Sequence, residues 1–224
     1  MALSFYLMSE NSRATRGYDS QRRRQQAEAT RAKVVSAATR LFLKHGYAGA
    51  TIPAIAAEAG VALQTVYRAA PGKAELLRAA VTAAVAGGSE RSAVPVEERP
   101  AIRAVIQESD PNRQLALYAH TQPGIWSRVG PLLQVLAVAA ASEPELRDLQ
   151  REQDTQRLVG LTRFAELLRE RGALRAELSP QHAADIIVSL CSYATYESLV
   201  LTRGWTDNQY EAWLADTLQR IILT

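Results

Sequence analysis

The stretch from Thr51 to Lys73 most constrains the fold, because it contains two short helical patterns separated by a glycine turn. Thr51 is suited to cap the first helix, since a threonine oxygen there accepts a free backbone N–H, and Pro53 falls where no N–H is needed. Gly60 can adopt the left-handed conformation that ends such a helix. The pattern predicts a helix-turn-helix. An ordinary αα-hairpin within a bundle has the same pattern, and this stretch alone leaves both open.

The second helix of the pair has two contrasting faces. Leu63, Val66 and Tyr67 are spaced three and four residues apart, so they share one face, which we expect to pack on the core. The side chains that fall away from this face are polar and can reach a partner outside the protein. They are Gln64, Thr65 and Arg68.

Amphipathic helices flank this stretch on both sides. Upstream, apolar residues from Val34 to Phe42 recur at helical spacing in a helix expected from about Ala27 to His45, and Gly46 ends it. Downstream, Lys73 opens a leucine-rich helical run. The pair is therefore embedded in a larger helical domain.

Residues 41–81 read LFLKHGYAGATIPAIAAEAGVALQTVYRAAPGKAELLRAAV, and this run resembles the N-terminal domain of TetR-type transcriptional regulators. The matching marks are the helix ending in HGY, the Thr-Ile start, IAAEAGV, the Val-Tyr pair and the lysine before the leucine-rich helix. The resemblance covers residues 28–82. It implies an all-α protein with a helix-turn-helix DNA-binding domain at 28–82 and a helical ligand-binding and dimerisation domain at 83–224.

The resemblance, together with the polar face, assigns DNA contacts to individual residues. Residues 62–69 are expected to enter the major groove of double-stranded DNA, with Gln64 and Thr65 as candidates for base edges. Tyr67 and Arg68 are candidates for phosphates, and Lys73 is expected to clamp a phosphate at a helix N-terminus, where a lysine otherwise opposes the helix dipole. Thr51 is a further candidate for a DNA backbone contact.

Two positions depart from the family pattern. The family usually has Ser or Thr where this chain has Ala62, so the recognition helix lacks a cap worth about 1 kcal/mol. The family also usually has an aromatic residue where this chain has Ala70. We expect this second change to loosen the junction with the next helix, unless another side chain fills the space.

The charge of the chain is divided unevenly. Residues 1–73 contain 11 Lys and Arg against 4 Asp and Glu, a net charge of +7, whereas residues 74–224 carry −4. A basic end is the electrostatic footprint of nucleic-acid binding. Residues 1–27 are expected to form a disordered basic arm, either a solubilising tail or a segment that contacts DNA, and Met8 is an alternative start of translation.

The remainder of the chain is predicted to be helical throughout. After a linker at 90–100, helices are expected at 100–108, 111–120, 125–141, 142–171, 179–203 and 206–223. The break between the second and third of these is assigned to Thr121–Gly124. No run is long and apolar enough to predict a membrane span, since Leu132–Ala141 is too short.

The last two helices predict a homodimer. Helix 179–203 is apolar nearly all round, and helix 206–223 has an apolar stripe, so both need to be covered on more than one side. Pairing with a second copy makes a four-helix interface, as the resemblance also implies. A monomer whose other helices cover both faces is the alternative.

The resemblance further implies a small-molecule effector that binds within the C-terminal helices. Candidate lining residues are large or aromatic and carry a polar handle, although each is also suited to an ordinary core. They are Tyr118, His120, Trp126, Phe164, Leu168, Tyr193 and Tyr196. The chemical nature of the effector does not follow from these residue types.

The sequence lacks the motifs of an enzyme. It contains no nucleophile-elbow, phosphate-loop or zinc-protease motif, and its single cysteine, Cys191, allows neither an intramolecular disulfide nor a thiolate metal set. No cofactor and no metal are therefore predicted, and a cytoplasmic location fits the lone cysteine.

These observations favour a ligand-released repressor that binds a palindromic operator as a homodimer. Two alternatives stay open. One is a helical sensor dimer with weakened DNA binding, which Ala62 and Ala70 support. The other is a transcriptional activator.

Overall fold

The computed structural model describes the backbone of residues 3–224 and the side chains of residues 21–224. The described chain is built from α-helices and short turns of 3₁₀- and π-helix, with no β-strand. The helices are α1 (Leu3–Gly49), α2 (Ile52–Ala59), α3 (Leu63–Ala69), α4 (Lys73–Ala86), α5 (Pro100–Gln107), α6 (Pro111–Ala140), α7 (Pro144–Glu170), α8 (Pro180–Leu190), α9 (Tyr193–Tyr196) and α10 (Asp207–Ile222). This agrees with the predicted all-α class.

Helix α1 starts earlier than the sequence analysis expects. Its backbone is helical from Leu3, whereas the composition of residues 1–27 favours a disordered basic arm. Residues 21–29 have exposed side chains, but most of them are good helix formers, and Arg24 pairs with Glu28 one turn later at 3.1 Å. At the other end Gly46 has φ 67°, which interrupts the helix where the sequence predicts its end.

Local capping explains the helix-turn-helix. The Thr51 hydroxyl accepts the backbone N–H of Ala54 at 3.3 Å, as predicted. Gly60 has φ 64° and its N–H bonds back to α2, so the chain turns into α3 without the strain that a side chain would cause there. Fully buried apolar side chains of α1, α2, α3 and α4 then pack together; they include Val34, Phe42, Ile55, Val66 and Leu76.

Two polar contacts link α4, which follows the helix-turn-helix, to the helices behind it. Arg78 donates to Glu152 on α7, and this carboxylate raises the pKa of the guanidinium. Arg128 on α6 donates from Nε to the carbonyl of Ala84 at 3.1 Å, near the end of α4. The end of the chain that carries α3 is thereby tied to α6 and α7.

Helix α6 is continuous where the sequence predicts a break at Thr121–Gly124. It runs through both Pro123 and Pro131, each of which lacks the N–H of a normal helical turn. Its residues are buried on both sides of each proline, including Ala119, Trp126 and Leu132. Tertiary packing of this apolar helix therefore outweighs the lost hydrogen bonds.

The predicted helix 179–203 is interrupted. Helix α8 ends at Leu190, Ser192 caps the short α9 by accepting the N–H of Thr195, and Glu197–Thr202 form a turn of π-helix. In contrast, α10 begins with the capping box of Thr206 and Gln209, at the start predicted for this helix.

The outer surface of α8 to α10 is unusually apolar. Leu201 is 60% and Ile221 39% exposed. The run Pro180–Thr202 is long and apolar enough to cross a membrane by length and composition, yet only 22% of it is buried within the chain.

Candidate DNA-binding surface and aromatic cluster

Helix α3 presents a polar face to solvent. Gln64 and Arg68 are exposed and Thr65 is half-buried. None of the three makes a side-chain hydrogen bond or ion pair within the part of the chain that the structure describes. These side chains can therefore meet a partner without first breaking internal contacts, as a readout surface requires.

The predicted apolar face of α3 is only partly correct. Val66 is fully buried, but Leu63 is 45% and Tyr67 47% exposed. A helix of seven residues has fewer than two full turns, so of these three residues only Val66 points at the core. The exposed Tyr67 lies beside Arg68 on the chain and is accessible to a phosphate. Leu63, which was expected to pack on the core, is exposed too and offers an apolar surface to a partner.

Lys73 has an internal partner that the sequence does not reveal. Its Nζ donates to the Tyr47 carbonyl at 2.9 Å and lies 4.1 Å from the centroid of the Tyr47 ring. The ammonium group therefore caps the end of the first helix and makes a cation–π contact. Two of its three N–H donors remain for a phosphate, so the predicted clamp stays a prediction.

The two departures from the family pattern have different consequences. Ala62 occupies the N-cap of α3 and makes no side-chain hydrogen bond, so the expected loss of a cap is present. Ala70 is buried, at 4% exposure. The Lys73–Tyr47 contact braces the adjacent junction by holding the start of α4 against the end of the first helix.

Aromatic rings in the C-terminal half form a connected series, which we call the aromatic cluster. Trp126 lies 6.1 Å from Tyr193, Tyr193 lies 6.5 Å from Tyr196, and Tyr196 meets Tyr210 edge-to-face at 5.3 Å, all between ring centroids. Trp213 follows at 5.9 Å from Tyr210. The cluster thus joins α6, α9 and α10.

Two polar atoms of the aromatic cluster lack hydrogen-bond partners. They are Nε1 of Trp126 and the hydroxyl of Tyr210, both buried. Burial is the main cause that raises the pKa of Tyr210, and the neighbouring indole N–H of Trp126 lowers it. The two groups thus lie close together but outside the geometry of a hydrogen bond. Buried polar groups are normally satisfied, and exceptions call for an explanation.

Arg157 of α7 lies at the edge of the aromatic cluster. Its guanidinium carbon is 5.0 Å from the centroid of Trp126, and one nitrogen donates to the Cys191 carbonyl at 2.6 Å, at the break between α8 and α9. Burial raises the pKa of the Cys191 thiol to about 12, against the positive charge of Arg157, which lowers it.

Most of the predicted effector residues are near this cluster, but not all. Trp126, Tyr193 and Tyr196 belong to it. The Tyr118 ring lies tilted against Phe164, 5.4 Å between centroids, and burial raises the pKa of Tyr118 while the charge of Arg157 lowers it. Leu168 is fully buried in the core. His120 lies apart from the cluster: its side chain is 72% exposed and contacts Glu211 at 2.9 Å.

Sequence reasoning missed Arg157 and the inward role of Tyr210. Arg157 falls eight residues after Leu149 and four before Leu161, so it interrupts the buried stripe of α7. Because charged residues are rarely buried, an arginine in such a stripe indicates a residue with a special role. Tyr210 lies on the predicted helix 206–223 and is fully buried within the chain.

A comparison with family models assigns the N-terminal region. Residues 34–80 match the model described as "Bacterial regulatory proteins, tetR family". This span contains α2 and α3 complete and every predicted DNA contact. No curated protein matches the chain in a sequence comparison.

Solved structures share the fold along most of the chain. A protein of Mesorhizobium loti described as a TetR-family transcriptional regulator has 18% identity and a TM-score of 0.68, over 88% of this chain and 98% of that one. SmeT in complex with triclosan has 21% identity and a TM-score of 0.68, over 88% and 92%. NalD of Pseudomonas aeruginosa, the secondary repressor of the MexAB-OprM multidrug efflux pump, has 20% identity and a TM-score of 0.62, over 88% and 97%.

Proposed function

We propose that this chain, which belongs to the TetR family through residues 34–80 and shares the fold of its regulators, represses transcription as a homodimer on a palindromic operator. A small-molecule effector in the C-terminal half releases it from DNA. The protein acts in the cytoplasm, and its role is regulatory rather than catalytic.

The observation that carries this proposal is the uncommitted polar face of α3. Gln64 and Thr65 read base edges in the major groove, while Tyr67 and Arg68 hold phosphates that fix the register. The net charge of +7 on residues 1–73 draws this end of the molecule to DNA. Exposed arginines before α2, such as Arg22 and Arg24, add phosphate contacts outside the helix-turn-helix.

A second copy of the chain covers the apolar surface of α8 to α10. Two shallow grooves cross this surface. Ile186 and Leu190 of α8 and Ile221 of α10 line the first, and Leu199 and Trp213 line the second. A membrane is a poorer cover for Pro180–Thr202, because Asp185 and Glu197 lie within it and the helix is interrupted after Leu190. A two-fold dimer presents two copies of α3 to half-sites about 34–36 Å apart or somewhat more.

Release by an effector requires that C-terminal contacts bias the position of α4. The Arg78–Glu152 and Arg128–Ala84 contacts join α4 to α7 and α6, the two helices that also carry Arg157 and Trp126. An effector that binds better to one arrangement of these helices shifts the population toward it. An arrangement with the wrong spacing between the two α3 helices binds the operator weakly.

Recovery of fragmented genomic DNA by the purified protein, followed by sequencing, tests the DNA-binding part. At about 150 mM salt we expect a sharp palindromic motif near promoters. Gln64→Ala should relax one position of the motif. Diffuse recovery that vanishes with added salt would leave only counterion-driven binding and contradict the proposal.

Sedimentation at micromolar concentration tests the dimer separately. The wild-type chain should sediment at twice its chain mass, and Leu201→Glu together with Ile221→Glu should shift it toward the monomer, because the two changes place charges in the interface. The exposed pair Leu158→Glu and Val159→Glu on α7 is the matched control, since it adds the same charges elsewhere. A monomeric wild type contradicts the two-fold model.

A helical sensor dimer with weakened DNA binding is the second candidate, and the uncapped start of α3 at Ala62 supports it. It predicts effector binding without a motif in the genomic experiment. An activator remains the alternative within the regulator class. Transcript levels in a strain lacking the gene distinguish it, because targets of a repressor rise and targets of an activator fall.

A further inference from the structure

We propose that the aromatic cluster binds a planar aromatic carboxylate, with its ring between Trp126 and Tyr193 and its acid group at Arg157. The inference rests on the proposed function, because it names the chemical class of the effector. It is argued from the donors, the charge and the shape of the cluster.

The unpaired groups of the cluster are hydrogen-bond donors. An indole N–H such as that of Trp126 can only donate, and a tyrosine hydroxyl such as that of Tyr210 donates or accepts. Both are buried without a partner, which costs free energy in the unliganded protein. A ligand oxygen between these two close groups would accept from both and remove that cost.

Arg157 supplies a positive charge with spare donors. Only one of its five N–H groups has a described acceptor, the Cys191 carbonyl. No carboxylate of the described residues lies within ion-pair distance of its half-buried guanidinium. A carboxylate on a ligand can pair with such a guanidinium through two parallel hydrogen bonds. The charge of Arg157 also reaches the cluster, since it lowers the pKa of both Tyr118 and Tyr210 against the effect of burial.

The acidic groups nearest the cluster have partners of their own. Asp207 accepts from the Tyr196 hydroxyl at 3.1 Å, and Glu197 accepts from Gln134. Both donors are neutral, so the two carboxylates keep their negative charge, which acts on Tyr193 and Tyr196. At Trp126 the nearby charge is that of Arg157, so an acid group there is attracted and a quaternary ammonium group is repelled.

The shape of the cluster selects a flat ring. A Cβ on Gly130 would lie 1.9 Å from Cε2 of Tyr193, so the Tyr193 ring rests directly on the backbone of α6. Tyr193 is half-buried and is the first residue of the short α9, directly after the non-helical residues Cys191 and Ser192 that separate it from α8. The centroids of Trp126 and Tyr193 lie only 6.1 Å apart, so Tyr193 must move outward before a ligand ring can lie between them. A planar aromatic ligand then takes its stacking place against Trp126.

Calorimetric titration of the full chain with three probes of one shape tests the inference. The probes are naphthoate, the neutral naphthamide and naphthyltrimethylammonium. Naphthoate should bind saturably, at least about tenfold more tightly than the amide, because only the acid pairs with Arg157. The ammonium probe should bind most weakly. Equal affinities for the three, or no heat of binding with naphthoate at millimolar concentration, would overturn the assignment.

Variants of α7 locate the charge. Arg157→Gln should weaken naphthoate binding about tenfold or more and leave naphthamide unchanged, and Arg157→Lys should fall between wild type and Arg157→Gln. Arg163→Gln, an exposed arginine on the same helix, is the matched control and should bind like wild type. Unchanged naphthoate affinity in a folded Arg157→Gln variant would contradict the site. Should that variant not fold, the acid-to-amide ratio of the wild type decides.

Operator binding, measured on the same samples, separates this inference from the proposed function. If a DNA motif is recovered but naphthoate binds no better than the other probes, the aromatic carboxylate is contradicted and the proposed regulator is supported. Preference for naphthoate without a motif keeps the ligand class and favours the sensor dimer.

Discussion

Helix α3 and the aromatic cluster both contain unpaired polar groups, but in opposite surroundings. The side chains of Gln64 and Arg68 are hydrated, so their lack of a protein partner costs nothing before DNA arrives. The Trp126 indole and the Tyr210 hydroxyl are buried, so their lack of a hydrogen-bond partner costs free energy. The first arrangement suits a large, hydrated, charged partner. The second suits a small ligand whose binding removes an existing penalty.

The largest expected effect is on the exposed side of this comparison. Arg68→Ala should weaken operator binding by about tenfold to a hundredfold in the dimer, since the contact is lost twice, and it should reduce the salt dependence. Anisotropy titrations at several salt concentrations measure both quantities. Arg163→Ala, which removes an exposed arginine from α7, is the control. Wild-type affinity for Arg68→Ala would remove the phosphate assignment.

On the buried side, Tyr210→Phe should raise the free energy of unfolding by about 1–3 kcal/mol, because it deletes an unsatisfied buried hydroxyl and preserves the ring. Tyr67→Phe is the counterpart on the exposed side and should change stability little. Urea unfolding of both variants makes the comparison. A loss of stability in Tyr210→Phe would mean that this hydroxyl is satisfied in solution.

Lys73 lies between the two cases, because it is partly buried and has a partner. Lys73→Met should lower the free energy of unfolding by about 1–2 kcal/mol through loss of the Tyr47 carbonyl bond and the cation–π contact. Lys33→Met, at an exposed position of α1, is the control. Unchanged stability of Lys73→Met together with weaker DNA binding would show that Lys73 binds a phosphate and does not stabilise the fold.

A smaller effect is expected at the start of α3. Ala62 has the extended backbone of an N-cap, so Ala62→Ser should add about 1 kcal/mol of stability by accepting a free N–H of the first turn. Ala57→Ser, inside α2 and exposed, should be neutral or slightly destabilising. Thermal unfolding distinguishes the two. Equal shifts for both would show that capping is not the limiting feature of α3.

A further effect is absent at neutral pH and appears only at alkaline pH. The pKa of Cys191 is raised from 9.0 to about 12 in the folded chain, mainly by burial. The unfolded chain therefore loses this proton first, so the free energy of unfolding falls as the pH rises above about 9. In Cys191→Ala the free energy of unfolding, measured with urea from about pH 8 to pH 11, should fall less steeply than in wild type. An identical pH dependence in wild type and Cys191→Ala would contradict the buried thiol.

Local signals made the helix-turn-helix predictable from sequence. Thr51 and Gly60 act on their own turns, and both behave as expected. The burial of α3 was harder to predict, because Leu63 and Tyr67 satisfy a helical pattern yet remain exposed in so short a helix.

Tertiary packing decided the features that the sequence analysis placed wrongly. Pro123 lies within α6 because the surrounding apolar residues are buried. The break after Leu190 occurs without glycine or proline, and only the capping pattern of Ser192 and Thr195 hints at it. The aromatic cluster assembles from α6, α9 and α10, and no local pattern reports such long-range proximity.

Discrimination between the recovered operator and a scrambled duplex of equal length and composition tests the central claim most directly. Competition titrations at about 150 mM salt should give a preference for the operator of about 10³ or more, and Gln64→Ala should reduce it at one base position. A ratio near one, with affinity that falls equally for both duplexes as salt is added, would contradict the account of α3 as a reader of sequence.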